Sequence, residues 1–456
     1  MSEIWSLCLF SWVIIVRLIS ITTVAFLAIA LSVFPLVESA FRELQSSRGS
    51  AETSSARTGE IWFEIPNGKL VDSPGVDRPK DVDAAIHHSA QYLRTASQKN
   101  GQFTYRRDLE SGQLLGAQYN LMRHAGSMNA LADYYDWYPN PETVSLLLAA
   151  VRFLQDQSLQ AVPGHDELVA AWSNPALTAY NELRQAKLGT TGTVLSALIR
   201  VEWIRPGTID LAHLRKLARF ILFMQKTDGS FYSSFVPGEG GKRDISVPFQ
   251  FPSQAVLGTL SLYELDPEVD WLNAAAKGLD HLSWNSDSEG FVSKSDYWSV
   301  LAIRILLEHY EEIPSPPTSR CALVAYVVQL CENILQSQPQ FPRGCREHGC
   351  FTMDGRTGPT AMRLQALIAA LSFLPDHEVK LCRRIENAVS VGIEFLVDAQ
   401  IREGIHLGAM PRAVRKLPRG HVSFTRDFNR RANEVRINEV HHALQAFMAY
   451  DHLSQN

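Results

Sequence analysis

The sequence predicts an all-α protein in which about six helical hairpins close into an α/α toroid, with minor β decoration and one preceding N-terminal hydrophobic helix. Two observations lead to this fold class. Apolar residues recur at helical spacing in pairs of segments, and a turn built on a glycine recurs between those segments. Strand-like alternation is confined to short pieces such as 61–65 and 231–235, so little sheet is expected.

The N-terminal residues are predicted to meet a membrane. Residues 4–37 are almost wholly apolar, and the stretch 18–37 is long enough to cross ~30 Å of hydrocarbon as a helix. We therefore expect a signal peptide or transmembrane anchor at 1–40, a linker with a short β segment at 41–80, and the toroid domain at 81–456. The toroid would then lie outside the cytoplasm, in the periplasm or at the cell surface, either anchored or secreted.

The recurring turn sets the period of the predicted hairpins. Its glycines are Gly101, Gly229, Gly290, Gly349 and Gly404, so the successive gaps are 128, 61, 59 and 55 residues, the first being about two periods. A degenerate copy near 155–164 would complete six. In each copy a helix ends, glycine takes the left-handed conformation, and the following aromatic residue packs back under the turn.

A second apolar helix is predicted after each turn, and these helices would form the inner ring of the toroid. They are expected at 116–135, 189–204, 252–265, 295–311, 357–373 and 437–453.

The segment 220–231, FILFMQKTDGSF, resembles the glutamine/aromatic repeat of the terpenoid cyclase and protein prenyltransferase superfamily. That superfamily folds as a six-hairpin α/α toroid. The same architecture occurs in six-hairpin glycosidases and in uronic-acid lyases and epimerases that process polysaccharides. The resemblance implies the fold and leaves the chemistry open. An Asp-x-Asp-Asp run, which protonating cyclases need, is absent from the sequence.

Cysteines and charge limit the partners. Cys345 and Cys350 flank a short loop and could form a disulfide in an exported protein or stay free, whereas with His348 they lack half of a zinc pattern. No metal or other cofactor is expected.

The formal net charge is −5, but residues 402–436 carry +6 and the remainder −11. This basic segment is a solvated loop or faces an anionic polymer or lipid headgroup, and nucleic acid is not expected.

Polar residues concentrate at the predicted starts of the inner helices, which a toroid would bring to one mouth. The candidate catalytic residues are Tyr119, His124, Asp296 and His442. The candidate substrate-binding residues are Asn120, Arg123, Tyr297, Arg356, Arg363, Arg436 and Asn438. For two of these residues a structural role is an open alternative, since His124 could be a satisfied core histidine and Asp296 a helix cap.

Cations and helix N-termini both favour bound anions, so the expected function is an enzyme acting on an anionic, uronic-acid-containing polysaccharide. The reaction could be β-elimination or epimerisation, with His124 or His442 as the base and Tyr119 as a proton relay. Arginines would neutralise the carboxylate. Hydrolysis would instead need two facing carboxylates, for which Asp296 and either Glu434 or Glu439 are available.

Two other functions remain open at this stage. The chain could be a non-catalytic glycan-, lipid- or protein-binding component of an envelope biosynthesis machine, because no sharply spaced acid/base motif is present. It could also bind or cyclise isoprenoids, although the charged helix starts argue against an apolar cavity. The expected partners are an anionic glycan or a phosphate-bearing lipid, together with the membrane through the N-terminal segment.

Overall fold

The computed structural model describes residues 81–116, 119–177, 183–244, 250–284 and 296–455. The predicted leader, the linker and the turn at Gly290 lie outside these residues. Within them, no helix combines the length and apolar character needed to cross a membrane.

Thirteen helices make up most of this described part. The outer helices are α1 Val82–Ala96, α3 Pro141–Gln157, α5 Leu211–Met224, α7 Val269–Trp284, α9 Arg320–Gln336 and α11 Val379–Ala399. The inner helices are α2 Leu121–Trp137, α4 Leu188–Ile204, α6 Gln250–Leu265, α8 Tyr297–Glu308, α10 Thr357–Leu371 and α13 Ile437–Gln455. The short helix α12 spans Arg426–Arg430.

The six inner helices form a closed ring. Each packs on the next in the order α2, α4, α6, α8, α10 and α13, and α13 packs against both α1 and α2. The predicted α/α toroid is therefore confirmed. Five inner helices begin within two residues of their predicted starts, whereas α2 begins at Leu121, five residues later than predicted. The inner helices approach closely where small residues meet: a Cβ on Gly192 of α4 would lie 2.4 Å from the carbonyl oxygen of Gln254 in α6.

Short strands decorate the helices, as predicted. The strands are β1 Arg106–Asp108, β2 Leu159–Val162, β3 His165–Ala171, β4 Ala186–Lys187, β5 Ser234–Val236, β6 Gly241–Arg243 and β7 Glu434–Arg436. They pair antiparallel as β1–β7, β2–β3 and β4–β5–β6. The pair β1–β7 ties the segment after α1 to the chain just before α13, so it also closes the toroid at its mouth.

The glycine turns join neighbouring outer helices. Gly101, Gly229 and Gly349 have φ values of 86°, 84° and 85°. A Cβ on any of them would lie 2.0–2.3 Å from a carbonyl oxygen of the next outer helix. These positions therefore require glycine for the close approach as well as for the left-handed backbone.

In the last hairpin the packed glycine is four residues later than the sequence suggested. A Cβ on Gly408 would lie 1.8 Å from the carbonyl oxygen of His88 in α1, whereas Gly404 has open space around it. Ile405, the expected packing residue, is 85% exposed. A short 3-10 turn at Gly404–His406 shifts the close contact with α1 from Gly404 to Gly408. The expected copy near 155–164 supplies Gly164, which sits in the turn between β2 and β3 and makes no such contact.

Glutamines at the ends of outer helices form hydrogen bonds with the next outer helix. The Nε2 of Gln225 donates to the carbonyl oxygen of Ala274 in α7 at 2.9 Å. The Nε2 of Gln400 donates to the carbonyl oxygen of Ala85 in α1 at 3.0 Å and to Ser89 Oγ at 2.8 Å. The glutamine of the repeat thus links one outer helix to the next, which is why the repeat accompanies this fold.

Gln400 links the last hairpin to the first, so its removal is expected to weaken closure of the toroid. Gln400→Ala should lower the free energy of unfolding by about 1–3 kcal/mol, because buried partners lose their donor. Denaturant titration measures the change, with Gln155→Ala at an exposed site of α3 as the matched control. Equal effects of the two variants would contradict this role.

Candidate active site

Backbone pairing brings three chain segments together at the mouth of the toroid. Residue Pro411 bridges Val435 of β7, and Ala413 bridges Arg356 at the start of α10. Between them, the Arg412 amide donates to the carbonyl oxygen of Glu434 at 2.8 Å. The side chain of Arg412 therefore originates between the starts of α10 and α13.

A polar network crosslinks inner helices towards the C-terminal end of α2. Arg200 of α4 bonds Asp133 and Asp136 of α2 at 2.5 and 2.7 Å. Gln445 of α13 donates to the second oxygen of Asp133 at 2.9 Å. The mouth, by contrast, holds polar groups that lack such partners.

Glu439 is a buried carboxyl group in the first turn of α13. Glu439 is only 5% exposed, and its Oε2 has no hydrogen-bond partner within the described residues. Burial raises the pKa of Glu439 to about 7, the positive charges of Arg123 and Arg412 oppose the rise, and the nearby Glu434 adds to it. A carboxyl group with a pKa near neutrality can both accept and return a proton.

Arg123 approaches Glu439 from the first turn of α2. Its guanidinium carbon lies 5.4 Å from the centre of the Tyr105 ring. Burial lowers the pKa of Arg123, while the negative charges of Glu439 and Glu434 hold it up. Arg123 therefore supplies positive charge close to the buried carboxyl.

Glu434 is fully buried, but both of its carboxylate oxygens already contact arginines. They bond Arg436 Nε at 2.6 Å and Arg431 Nε at 3.1 Å, and Arg106 Nε lies 2.5 Å away. Such charge-assisted pairs hold the carboxylate and its arginine neighbours in place. Arg436 keeps its Nη2 unpartnered within the described chain.

His442 lies one helical turn after Glu439, on the same face of α13. Its ring meets Tyr297 edge-on at 5.9 Å and Trp298 at 6.4 Å between centroids. The Tyr297 hydroxyl is 3.5 Å from His442 Nδ1, which is long for a hydrogen bond. Burial lowers the pKa of His442 to about 3, with the charge of Arg123 acting in the same direction, so its ring is neutral.

Tyr119 and His124 do not join this group, contrary to the expected single mouth. His124 is fully buried and stacks on Phe153 of α3 at 5.1 Å, and its Nε2 lies 3.2 Å from the carbonyl oxygen of Ala150. Its Nδ1 pairs with the Tyr119 hydroxyl at 2.7 Å, which also accepts from the Phe103 amide at 3.0 Å. Successive residues diverge by about 100° on a helix, so Arg123 faces the mouth and His124 the outer ring.

Two other candidates cap helices. Asp296 accepts from the hydroxyls of Ser253 and Ser299 at 2.8 and 2.7 Å and caps α8, so both of its oxygens are used. The Asn120 side chain accepts from the Arg123 amide at 3.1 Å and caps α2. With Tyr119, Asn120 also lines a small cavity of about 90 Å³.

The remaining candidates lie at the starts of α10 and α13. Asn438 leaves its Oδ1 buried without a partner among the described residues. Arg356 precedes α10 and pairs with Asp354 through its Nε at 2.9–3.0 Å. Arg363, two turns further along α10, leaves its Nε and Nη1 buried and unpartnered in the same described part.

Unsatisfied buried polar atoms concentrate at the inner-helix starts. Within the described residues, those in this region are Gln254 Oε1, Trp298 Nε1, Arg363 Nε and Nη1, Arg412 Nη1, Arg436 Nη2, Asn438 Oδ1 and Glu439 Oε2. Folded proteins leave few buried polar groups without partners, and those they leave call for an explanation. A polar ligand in the mouth would satisfy donors and acceptors contributed by four different inner helices and the 412 segment.

Sequence reasoning undervalued Glu439 and missed Arg412 and Gln254. For Glu439 a signal existed, since it stands three residues before His442 on one helical face and three residues after Arg436 along the chain. For Arg412 there was none, because only tertiary bridges bring its segment to the mouth.

The cysteines at the loop after α9 are thiols in the structure. Cys345 is exposed, and the buried Cys350 donates from Sγ to the Thr352 carbonyl oxygen at 3.0 Å. Of the two open alternatives, the structure shows free thiols rather than a disulfide.

Comparison with known proteins identifies the fold but shows no closer relationship. No protein-family model matches the chain, and no curated protein sequence matches it. Among solved structures it is similar to an inactive variant of a GH76 α-1,6-mannanase from Salegentibacter sp. HEL1_6 in complex with α-1,6-mannotriose. The identity is 14%, the match covers 82% of this chain and 100% of that one, and the TM-score is 0.53.

Two further similarities point to the same architecture. A possible member of the GH105 family from Salmonella enterica subsp. enterica serovar Paratyphi A is 11% identical, with 86% and 100% of the two chains covered and a TM-score of 0.55. A sugar epimerase from a ruminal bacterium is 9% identical, with 80% and 97% covered and a TM-score of 0.54. The predicted likeness to six-hairpin glycosidase-like proteins is thus confirmed for the fold, which hosts several kinds of sugar chemistry.

Proposed function

We propose that this chain is a carbohydrate-active enzyme that moves the proton α to the carboxylate of a uronic-acid unit in an anionic glycan. The reaction would be a β-elimination or an epimerisation centred on Glu439. One observation carries the proposal: a buried carboxyl group with a pKa of about 7 lies within the electrostatic influence of Arg123 at the mouth of the toroid, where Arg412 and Arg436 each keep one guanidinium nitrogen without a partner among the described residues.

The charge of the mouth favours an anionic sugar. Arg123 and the unpartnered Nη2 of Arg436 would hold the carboxylate and stabilise the enediolate that forms when the α proton leaves. The N-termini of α2, α10 and α13 add partial positive charge at the same place. Trp298 offers an unpartnered indole N–H for a sugar oxygen.

Glu439 would be the base and His442 a positioning group. Near neutral pH a substantial fraction of Glu439 is ionised, so it can take the α proton. In an elimination it would pass that proton to the departing glycosidic oxygen, and in an epimerisation a water molecule would supply a proton to the opposite face. His442 is neutral and lies on the same helical face, where it can orient a hydroxyl group. This assignment replaces His124 and Tyr119 as base and relay, because their nitrogen and oxygen atoms are bonded to each other and to backbone.

Elimination or epimerisation is favoured over hydrolysis by the count of free carboxyl groups. Glycoside hydrolysis uses two carboxyl groups facing the bond. Among the described carboxyl groups considered for this role, Glu434 is held by arginines and Asp296 by serines, which leaves Glu439 alone. The similarity to the sugar epimerase and to the mannanase with its bound mannotriose supports a sugar as the ligand. The proposal that this sugar is acidic rests on the arginines of the mouth.

Incubation with a panel of uronic-acid polymers tests the reaction class. Ultraviolet absorbance reports the unsaturated sugar of an elimination, proton NMR reports an epimer, and reducing ends without absorbance report hydrolysis. We expect one of the first two signals on an acidic polymer and none on a neutral mannan. Binding of the acidic polymer without any product would instead favour the non-catalytic component of an envelope biosynthesis machine.

We also propose that the toroid acts outside the cytoplasm, either secreted or held at the membrane. The support is the apolar run at 4–37, which precedes the described residues. Large acidic polysaccharides at the cell envelope would be accessible there.

A further inference from the structure

A second group of arginines lies beside the Glu439 centre. Arg356 precedes α10, and Arg363 follows it by seven residues, two helical turns later on the same face. Arg412 is brought alongside by its bridged backbone, because the Thr357 amide donates to the Arg412 carbonyl oxygen at 3.3 Å. We call Arg356, Arg363 and Arg412 the arginine triad.

Positive charge is concentrated in the triad. Burial lowers the pKa of Arg363 to about 10, and the charge of Arg356 adds to the effect. Burial also lowers the pKa of Arg412, with Arg431 and Arg356 contributing and the negative charges of Glu439 and Glu434 opposing. Asp354 is bonded directly to Arg356. Among the described residues, no carboxylate is bonded directly to Arg363 or Arg412.

The donors of the triad are aimed at an acceptor that the described residues do not supply. Arg363 Nε and Nη1 and Arg412 Nη1 are buried without hydrogen-bond partners there. The guanidinium carbon of Arg412 lies 5.1 Å from the centre of the Phe428 ring, which fixes its position. Guanidinium nitrogens that are buried without an acceptor are destabilising, and the planar fork of the guanidinium group fits the two oxygens of a carboxylate or sulfate group.

We propose that the arginine triad is a second anion subsite, which binds an oxyanion group, carboxylate or sulfate ester, on a sugar unit next to the one at Glu439. The placement of that unit rests on the proposed function, but anion binding by the triad does not. The protein would then select glycans with acidic groups on more than one sugar. A neutral chain carrying a single uronate would leave the triad unsatisfied.

Inorganic sulfate is the first probe, measured by calorimetric titration and by thermal unfolding at matched ionic strength in sodium chloride. The unmodified protein and Glu439→Gln should both bind sulfate. Arg363→Gln should weaken binding about tenfold or more, because it removes two charge-assisted donors. Arg152→Gln, at an exposed site of α3, is the matched control and should bind normally. Arg363→Gln should unfold no earlier than the unmodified protein without sulfate, since it removes a buried charge.

The outcomes separate this inference from the proposed function. Sulfate can also bind at Arg123 and Arg436 in both proteins, so the number of sulfate sites is compared as well as their affinity. Equal stoichiometry and affinity of Arg363→Gln and the unmodified protein would overturn the subsite, even if Glu439 proves essential for turnover. Sulfate binding that depends on Arg363, together with full turnover by Glu439→Gln, would keep the subsite and remove the proposed function. If Arg363→Gln fails to fold, Arg412→Gln provides the same comparison. A di-uronate and a sulfated disaccharide then distinguish carboxylate from sulfate ester as the natural group.

Discussion

Glu439→Gln is expected to lower turnover of an acidic glycan by about 10²–10⁴-fold, the usual contribution of a positioned acid/base group. Glutamine keeps the size and shape of the side chain, but it replaces one carboxylate oxygen by an NH2 donor and cannot accept the α proton. Binding should persist, since Arg123 and the arginine triad remain. The measurement is kcat and KM on the polymer that gives product with the unmodified protein.

Glu403→Gln is the matched control for this experiment, because Glu403 is exposed and lies outside the mouth. It should leave kcat and KM unchanged. The account would be contradicted by a Glu439→Gln protein that keeps full kcat, or by one that loses only binding while kcat stays the same.

The stability of the protein should depend on pH through Glu439. Burial raises the pKa of this carboxyl from 4.5 to about 7, so the folded state binds its proton more tightly than the unfolded chain. The stability that the protonated Glu439 carboxyl contributes is therefore fully present below about pH 4.5 and is lost as the pH rises through about 7. The difference of about 2.5 pKa units corresponds to roughly 3 kcal/mol.

Denaturant titrations of the unmodified protein and of Glu439→Gln, from about pH 4 to about pH 8, isolate this effect. The free energy of unfolding of the unmodified protein should fall relative to that of the variant across this range. The same comparison with Glu403→Gln should show a constant difference. A constant difference for Glu439→Gln as well would mean that this carboxyl titrates as it does in the unfolded chain.

The helical ring could be predicted because local sequence controls it. The start of α10 was predicted at residue 357 and the start of α4 at 189, and the structure begins them at 357 and 188. Periodicity and glycine turns mark such helices without reference to distant residues. The sequence did not predict the strand β7 at Glu434–Arg436, because its partner β1 lies at the other end of the chain.

The site could be predicted only in part, since its chemistry depends on burial. Arg123, Arg436 and His442 were expected at the mouth and are placed around Glu439. The divergence of His124 from Arg123 depends on which face of α2 meets the outer helix. The raised pKa of Glu439 arises from desolvation by the assembled ring, which no short motif records. The membrane-facing segment remains a prediction from sequence.

Loss of the α hydrogen tests the central claim most directly. In deuterated water, an acidic oligosaccharide incubated with the unmodified protein should lose the hydrogen at the carbon next to its carboxylate, as seen by NMR. An epimerised product carries deuterium at that carbon, whereas an eliminated product has a double bond there and carries no hydrogen. Glu439→Gln should leave the α hydrogen in place, and Glu403→Gln should match the unmodified protein. Cleavage of the glycan with the α hydrogen retained, or equal loss of that hydrogen with Glu439→Gln, would contradict proton transfer at Glu439.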